Sequence, residues 1–253
     1  MNSRLWLTYF SLNAVAPRGI PWEVGADLSG DEALWVAPSL QEFQLGESSE
    51  GRRLLAAASA WAARHDDEEL PRVMSLFIAE EQRHAAELGR YLMLNGHRLR
   101  WRTTGDSCFR LLRRFSGRLE VSLSVLLTAE IIGYVYYRAL RAGTGSALLR
   151  AICETFLRDE AAHLVFHTDQ LGRMRRDRSR VGMWITRGMS IALMVTTCVV
   201  VWLRHRPALR RCGLTLVGFL SQCLARSAWA MRARHHEAPP TGCPPTLYSS
   251  TTY

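Results

Sequence analysis

The chain has 253 residues, 48% apolar and 22% charged, a globular composition with enough length for one large domain and a sizeable core. Its formal net charge is +9, and all 32 basic residues are arginine, which excludes lysine Schiff-base chemistry, pyridoxal-phosphate attachment and a P-loop lysine. Neither a glycine-rich dinucleotide fingerprint nor a nucleophile elbow occurs.

Residues 1–38 carry Pro17, Pro21 and Pro38 and read as an irregular N-terminal arm. The apolar run Leu5 to Leu12 precedes Ala14-Val15-Ala16, but Thr8, Tyr9 and Ser11 make it a poor export signal. Ser39 with Glu42 forms a capping box, and a first helix A follows to Arg64, with Phe43, Glu47, Glu50, Leu54, Ala57 and Trp61 on one stripe. Helix B runs from Glu69 to Leu94, accepts Pro71 in its first turn, and closes at Asn95-Gly96. Its stripe is Val73, Phe77, Glu81, His84, Leu88 and Tyr91.

A basic connection, His97 to Gly117, leads to helix C over Leu119 to Arg141, whose stripe carries Leu119, Leu123, Leu126, Glu130, Gly133, Tyr137 and Leu140. Ser146 caps helix D, with Leu149, Cys153, Phe156, Glu160, His163, His167 and Gln170 on its inner face. Helix E (Val181 to Leu203) and helix F (Leu214 to Met231) follow, and 237–253 reads as a disordered tail. No segment alternates with period two, so the expected class is all-α. The expected domains are a bundle over 39–178 and additional C-terminal helices over 179–236 packing on it.

Each of the four core stripes holds a carboxylate where an apolar residue belongs. Helices B and D add a histidine one turn later, in Glu81-x-x-His84 and Glu160-x-x-His163. Four carboxylates at one level would repel strongly and be costly to bury, so either they are not all buried or something cationic sits between them; two divalent metals held by four Glu and two His would resolve the conflict. Glu50 precedes Glu81 by 31 residues, and Glu130 precedes Glu160 by 30, as two antiparallel pairs require. The Glu130–Glu160 register is off by ~4.5 Å of helical rise, which side chains absorb. For the first pair, Glu47 would be mismatched by ~7.5 Å, so the register favours Glu50, although Glu47 shares the stripe.

The twofold Glu-then-Glu-x-x-His arrangement, carried by Glu50, Glu81-Gln82-Arg83-His84, Glu130 and Glu160-Ala161-Ala162-His163, resembles the ferritin-like di-iron carboxylate superfamily over roughly residues 40 to 175. The resemblance implies a four-helix bundle with a long B–C crossover. It implies that Glu50 and His84 hold one metal, that Glu130 and His163 hold the other, and that Glu81 and Glu160 bridge. It also implies two iron ions, or manganese, that activate O2 or peroxide against a small-molecule substrate with an external electron donor. Iron handling by ferroxidase activity, and a membrane-associated or binding protein that keeps the site, are the alternatives. The forty-residue arm and helices E and F would encumber a storage cage. The widely spaced cysteines supply no rubrerythrin-type four-cysteine site.

His167 is a further ligand or a core histidine. Tyr134 and Tyr137 lie one and two turns beyond Glu130, where they could relay electrons or orient a carboxylate. Glu80 and Glu87 flank the motif and read as solvent-facing. The arginine runs around 98–118 and 173–180 would suit a polyanion such as the tRNA that some superfamily members modify, but they read as solvated surface. The uncharged stretch Gly188 to Leu203 reads as a buried helix, with membrane contact open because arginines flank it. A cytoplasmic or membrane-peripheral homodimer is expected.

Overall fold

A computed structural model describes residues 3–48, 51–100 and 118–232. It is all-helical there, with no strand among the described residues. The helices are α1 (Ser3–Val15), α2 (Gly30–Glu47), α3 (Arg52–His65), α4 (Leu70–Leu94), α5 (Leu119–Gly143), α6 (Ala147–Met174), α7 (Arg180–Arg211) and α8 (Leu216–Arg232). A short 3-10 turn, Trp22–Val24, separates α1 from α2. The expected crossover and tail lie largely outside the described residues.

Helices B, C and D appear as α4, α5 and α6 with ends within a few residues of expectation. Pro71 sits in the first turn of α4, where a missing N–H costs nothing. Ser146 caps α6 by accepting from the Leu149 N–H at 2.9 Å. Helices α5 and α6 form the most extensive helix pair, joined by the short 144–146 turn.

The N-terminal region departs from expectation. Residues 1–38 are not an irregular arm, because α1 and the first half of α2 lie there. Trp6 and Phe10 of α1 are buried and pack edge-on against Phe166, with Phe10 also on Phe77. Ser29 rather than Ser39 caps α2, accepting from the Glu32 N–H. Pro38 lies inside α2, where the burial of Val36, Ala37 and Leu40 carries the helix through. The expected helix A is two helices, α2 and α3. Gly51, which precedes α3, has φ +64°, and an added Cβ would meet the Ile78 side chain at 2.5 Å.

Two apolar clusters fill the interior. One joins Val36, Leu40, Leu88, Ile131, Tyr137 and Phe156 with residues of α7 and α8. The other joins Trp6, Phe10, Ala58, Phe77, Leu123 and Phe166. On α4 and α5 the first cluster lies C-terminal and the second N-terminal, and on α6 the order is mostly reversed. Residues 80–84, 130 and 159–163 occupy the level between them, where α2 ends at Glu47.

Among the described residues, two helices are by length and composition long and apolar enough to cross a membrane, α5 and α7. In α5 the apolar window is mostly buried and contributes to the core; in α7 only 22% of it is buried. The expected helix E therefore extends further than Leu203, with Pro207 inside it, and is not a buried core helix along its length.

Candidate metal centre

Glu81 and His84 lie one turn apart on α4, as do Glu160 and His163 on α6, so both pairs point into the layer between the apolar clusters. His163 Nδ1 lies 3.2 Å from Glu81 Oε1, 3.4 Å from Glu130 Oε2 and 3.7 Å from Glu160 Oε2. His84 Nδ1 lies 3.7 Å from Glu81 Oε1 and 3.8 Å from Glu160 Oε1. Glu81 and Glu160 each approach both imidazoles, whereas Glu130 reaches His163 and, at 3.5 Å, His167 Nε2. One ligand atom from each of Glu81, Glu130, Glu160 and His163 fits within a 4.8 Å spread.

The fourth carboxylate is Glu47. It is hydrogen-bonded to Glu81, lies near His84, and accepts from Tyr137 Oη at 3.1 Å. Glu50, which the register favoured, lies outside the described residues. The interruption between α2 and α3 invalidates the register count, because that count assumed one continuous helix from Ser39 to Arg64.

The electrostatics are those of buried, crowded carboxylates around two imidazoles. Burial, then the neighbouring Glu81, pushes the Glu47 carboxyl well up. Burial and Glu130 do the same to Glu160, and more mildly to Glu81. Burial would also raise Glu130, but the close approach of Glu160, His163 and His167 holds it well below the usual range. Burial would lower His163, yet its four carboxylate neighbours raise it well above an ordinary imidazole. Among the described residues, Glu81 Oε1, Glu160 Oε2, His84 Nδ1 and His163 Nδ1 are buried and have no hydrogen-bond partner. Such orphaned atoms are costly unless a cation satisfies them.

A second layer orients the imidazoles. His84 Nε2 lies 3.1 Å from Asp159 Oδ2, and His163 Nε2 lies 3.3 Å from Glu80 Oε2. An ionised carboxylate can only accept, so each ring presents Nε2–H outward and turns Nδ1, which has no hydrogen-bond partner, toward the centre. Each partner is the residue just before the Glu of the opposite motif. Glu80 is not solvent-facing, as the sequence suggested, but 4% exposed, and Asp159 is 2% exposed. Burial pushes Glu80 up, but His163, His84 and Arg83 together hold its carboxyl down at about 2. Arg83 donates to both Glu80 and Asp159 at 2.8 Å; Arg18 adds 3.0 Å to Asp159, and Asn13 adds 3.2 Å to Glu80. Glu87 is half-buried beside Arg83, and burial raises its carboxyl. The acidic residue before each Glu-x-x-His was the available sequence signal for this layer. Arg18 and Asn13, in the segment read as an irregular arm, carried none.

Tyr137 belongs to the centre and Tyr134 does not. Tyr134 lies under the Arg226 guanidinium of α8, 3.8 Å from the ring centre. Tyr91 donates to Ser146 Oγ at 3.0 Å, next to the α5–α6 turn. His167 is fully buried, edge-on to Phe77, with burial holding its imidazole below the ordinary value.

No protein-family model matches the chain, and no curated protein or solved structure matches it either.

Proposed function

We propose that the chain is a di-metal carboxylate protein of the ferritin-like kind, and that it acts as an oxidoreductase on O2 or peroxide. One observation carries the reading: imidazole nitrogens and carboxylate oxygens without hydrogen-bond partners converge in one largely buried layer between the helices. Glu47 and His84 would hold one ion, and Glu130 and His163 the other. Glu81 and Glu160 would lie between them, with His167 beside Glu130.

The charges support two divalent ions. Four carboxylates would balance four positive charges in the centre. Outside it, Glu80 and Asp159 are balanced by Arg83 and Arg18. Oxygen-rich ligation with two imidazoles suits iron or manganese. Such a pair supplies two electrons at one place to a bound oxidant.

The protein's own groups define the rest. Asp159 and Glu80 fix the ring orientation of the two histidines. Phe77, Phe10 and Phe156 wall the imidazoles from water. Glu47 and Glu81 are the ligands that keep partial exposure, so a small oxidant or substrate enters from their side. Tyr137 donates its proton to a hydrogen bond with Glu47 and holds that carboxylate in place.

Metal analysis of wild type beside Glu81→Ala and His163→Ala tests the reading. Wild type should carry about two irons per chain, the variants fewer, and the reduced wild type should consume O2. Negligible and equal metal in all three would remove the proposal. Size-exclusion mass separates iron storage, which needs a closed multi-subunit cage.

A further inference from the structure

The charge of the chain is segregated. From Arg178 through Arg232, both included, there are nine arginines and no Asp or Glu; the remaining 23 arginines equal the 23 acidic residues. This segment of α7, α8 and their immediate flanks thus carries +9, while the remainder of the chain sums to zero.

The same segment presents an apolar face to the outside. Val181, Trp184, Ile185, Met189, Val199 and Leu203 are all exposed, with Trp184 at 74%, Met189 at 68% and Leu203 at 68%. Their spacing of mostly three and four residues puts them along one side of α7. From Val181 to Leu203 this side runs ~33 Å. Arg187 is the one charge within those bounds; it is half-buried and its helical phase is that of the buried Met194 and Cys198, on the packed side rather than in the strip. Arginine closes both ends: Arg176 and Arg180 before it, Arg206 and Arg210 after it, all exposed. The opposite side of α7 is occupied, because Met194, Cys198, Trp202 and Leu209 are buried and α7 packs on α5, α2 and α8.

We propose that this face of α7 docks in the plane of an anionic lipid bilayer. Val181, Trp184, Ile185, Met189, Val199 and Leu203 enter the acyl boundary, and the terminal arginines sit on headgroup phosphates. A helix with one side fixed to a protein core and an apolar side ending in arginines has the form of an interfacial anchor. The charge argues against a second copy on the same face, because the exposed arginines that close both of its ends, Arg176, Arg180, Arg206 and Arg210, would be brought against those of the copy. It argues equally for phosphate-rich lipid, where each arginine strengthens association about fivefold.

The test is co-sedimentation of the full chain with phosphatidylcholine vesicles, alone or with about 30 mol % phosphatidylglycerol. Two double variants are compared, Ile185→Glu with Met189→Glu, and Arg206→Gln with Arg210→Gln. Circular dichroism melting checks that each is folded, and all substituted side chains are exposed. Wild type should bind the anionic vesicles, weakly bind the neutral ones, and release in high salt. The glutamate variant should bind at least about tenfold more weakly, and the glutamine variant about tenfold or more. No binding of wild type to anionic vesicles overturns the proposal, as does equal binding by the glutamate variant. A wild-type dimer that the glutamate variant splits, without vesicle binding, assigns the face to a second copy instead and also overturns it. Metal content read on the same samples keeps failure of docking distinct from failure of the metal-centre reading.

Discussion

Asp159 on α6 accepts from His84 on α4 at 3.1 Å, and the reciprocal contact, Glu80 on α4 with His163 on α6, is 3.3 Å. The two helices thus orient each other's imidazole, and Arg83 ties both carboxylates together. Removing one of these acceptors leaves the ring free to turn and to place a proton on Nδ1. Asp159→Asn and Glu80→Gln should each weaken metal affinity about 10- to 100-fold while leaving the ligands in place. Competition titration with a chromophoric chelator reads this. Unchanged affinity in both variants would show that the rings are oriented by packing alone.

Glu47 ends α2, and its carboxylate accepts from Tyr137 at 3.1 Å. The assignment of Glu47 to the centre implies a contrast between two neighbouring glutamates. Glu47→Ala should lower the bound metal by about one ion per chain, whereas Glu50→Ala should leave it unchanged. Tyr137→Phe keeps the ring volume and removes the donor, so it should cost about 0.5–1.5 kcal/mol of metal binding and little stability. Metal stoichiometry on the three variants distinguishes the readings. The reverse contrast, with Glu50 essential and Glu47 dispensable, would restore the register argument.

What could be read in advance follows from how local each signal is. Glu81, His84, Glu130, Glu160 and His163 sit on uninterrupted helices, so periodicity alone placed them on inward faces, and the structure brings them together. Glu47 and Glu50 differ in a way periodicity does not encode. The choice depends on the break between α2 and α3, signalled only by Gly46, Ser48, Ser49 and Gly51, and on the left-handed conformation of Gly51. The α1 segment was misread because three prolines flank or follow it, while the contacts that stabilise it are long-range: Trp6 with Asp169, Phe10 with Phe77, Asn13 with Glu80. Arg18 reaches Asp159 across 141 residues of sequence, and no local pattern reports such a pairing. The exposed face of α7 was hidden for the opposite reason, since an apolar run reads the same whether protein or solvent surrounds it.

The crowded carboxylates cost the metal-free fold stability. Burial, then Glu130, raises the Glu160 carboxyl well above its ordinary value, so a charge there is unfavourable in the metal-free fold. Glu160→Gln keeps the shape and removes that charge. The metal-free variant should be more stable than metal-free wild type by about 1–3 kcal/mol, yet lose high-affinity metal. Wild type should gain about 2.7 kcal/mol at a hundredfold excess of metal over its dissociation constant, and the variant almost nothing. Thermal melts with metal and with chelator check both halves. A wild type whose melting ignores chelator would contradict the reading directly.

His205 offers a pH signature remote from the metal ligands. Its ring is buried, with Nδ1 2.8 Å from Ser39 Oγ, and Ser39 in turn lies 2.7 Å from Tyr136 Oη. Burial holds the imidazole down at about 4; Glu42 opposes this and Arg204 reinforces it. In the unfolded chain the ring titrates near 6.5. Between those values the unfolded state binds the extra proton, so stability is fully present above about pH 6.5 and falls as the pH drops toward 4. The loss from this group is at most about 3 kcal/mol. Glu42 faces the same ring, and its carboxyl is lowered by Arg204 and His205 against the effect of burial, so its own contribution is lost only at still lower pH. Urea melts of wild type and His205→Gln from neutral to mildly acidic pH isolate the effect as a difference. The variant should lose less stability over that window, and parallel pH profiles would mean that His205 already accepts its proton in the fold.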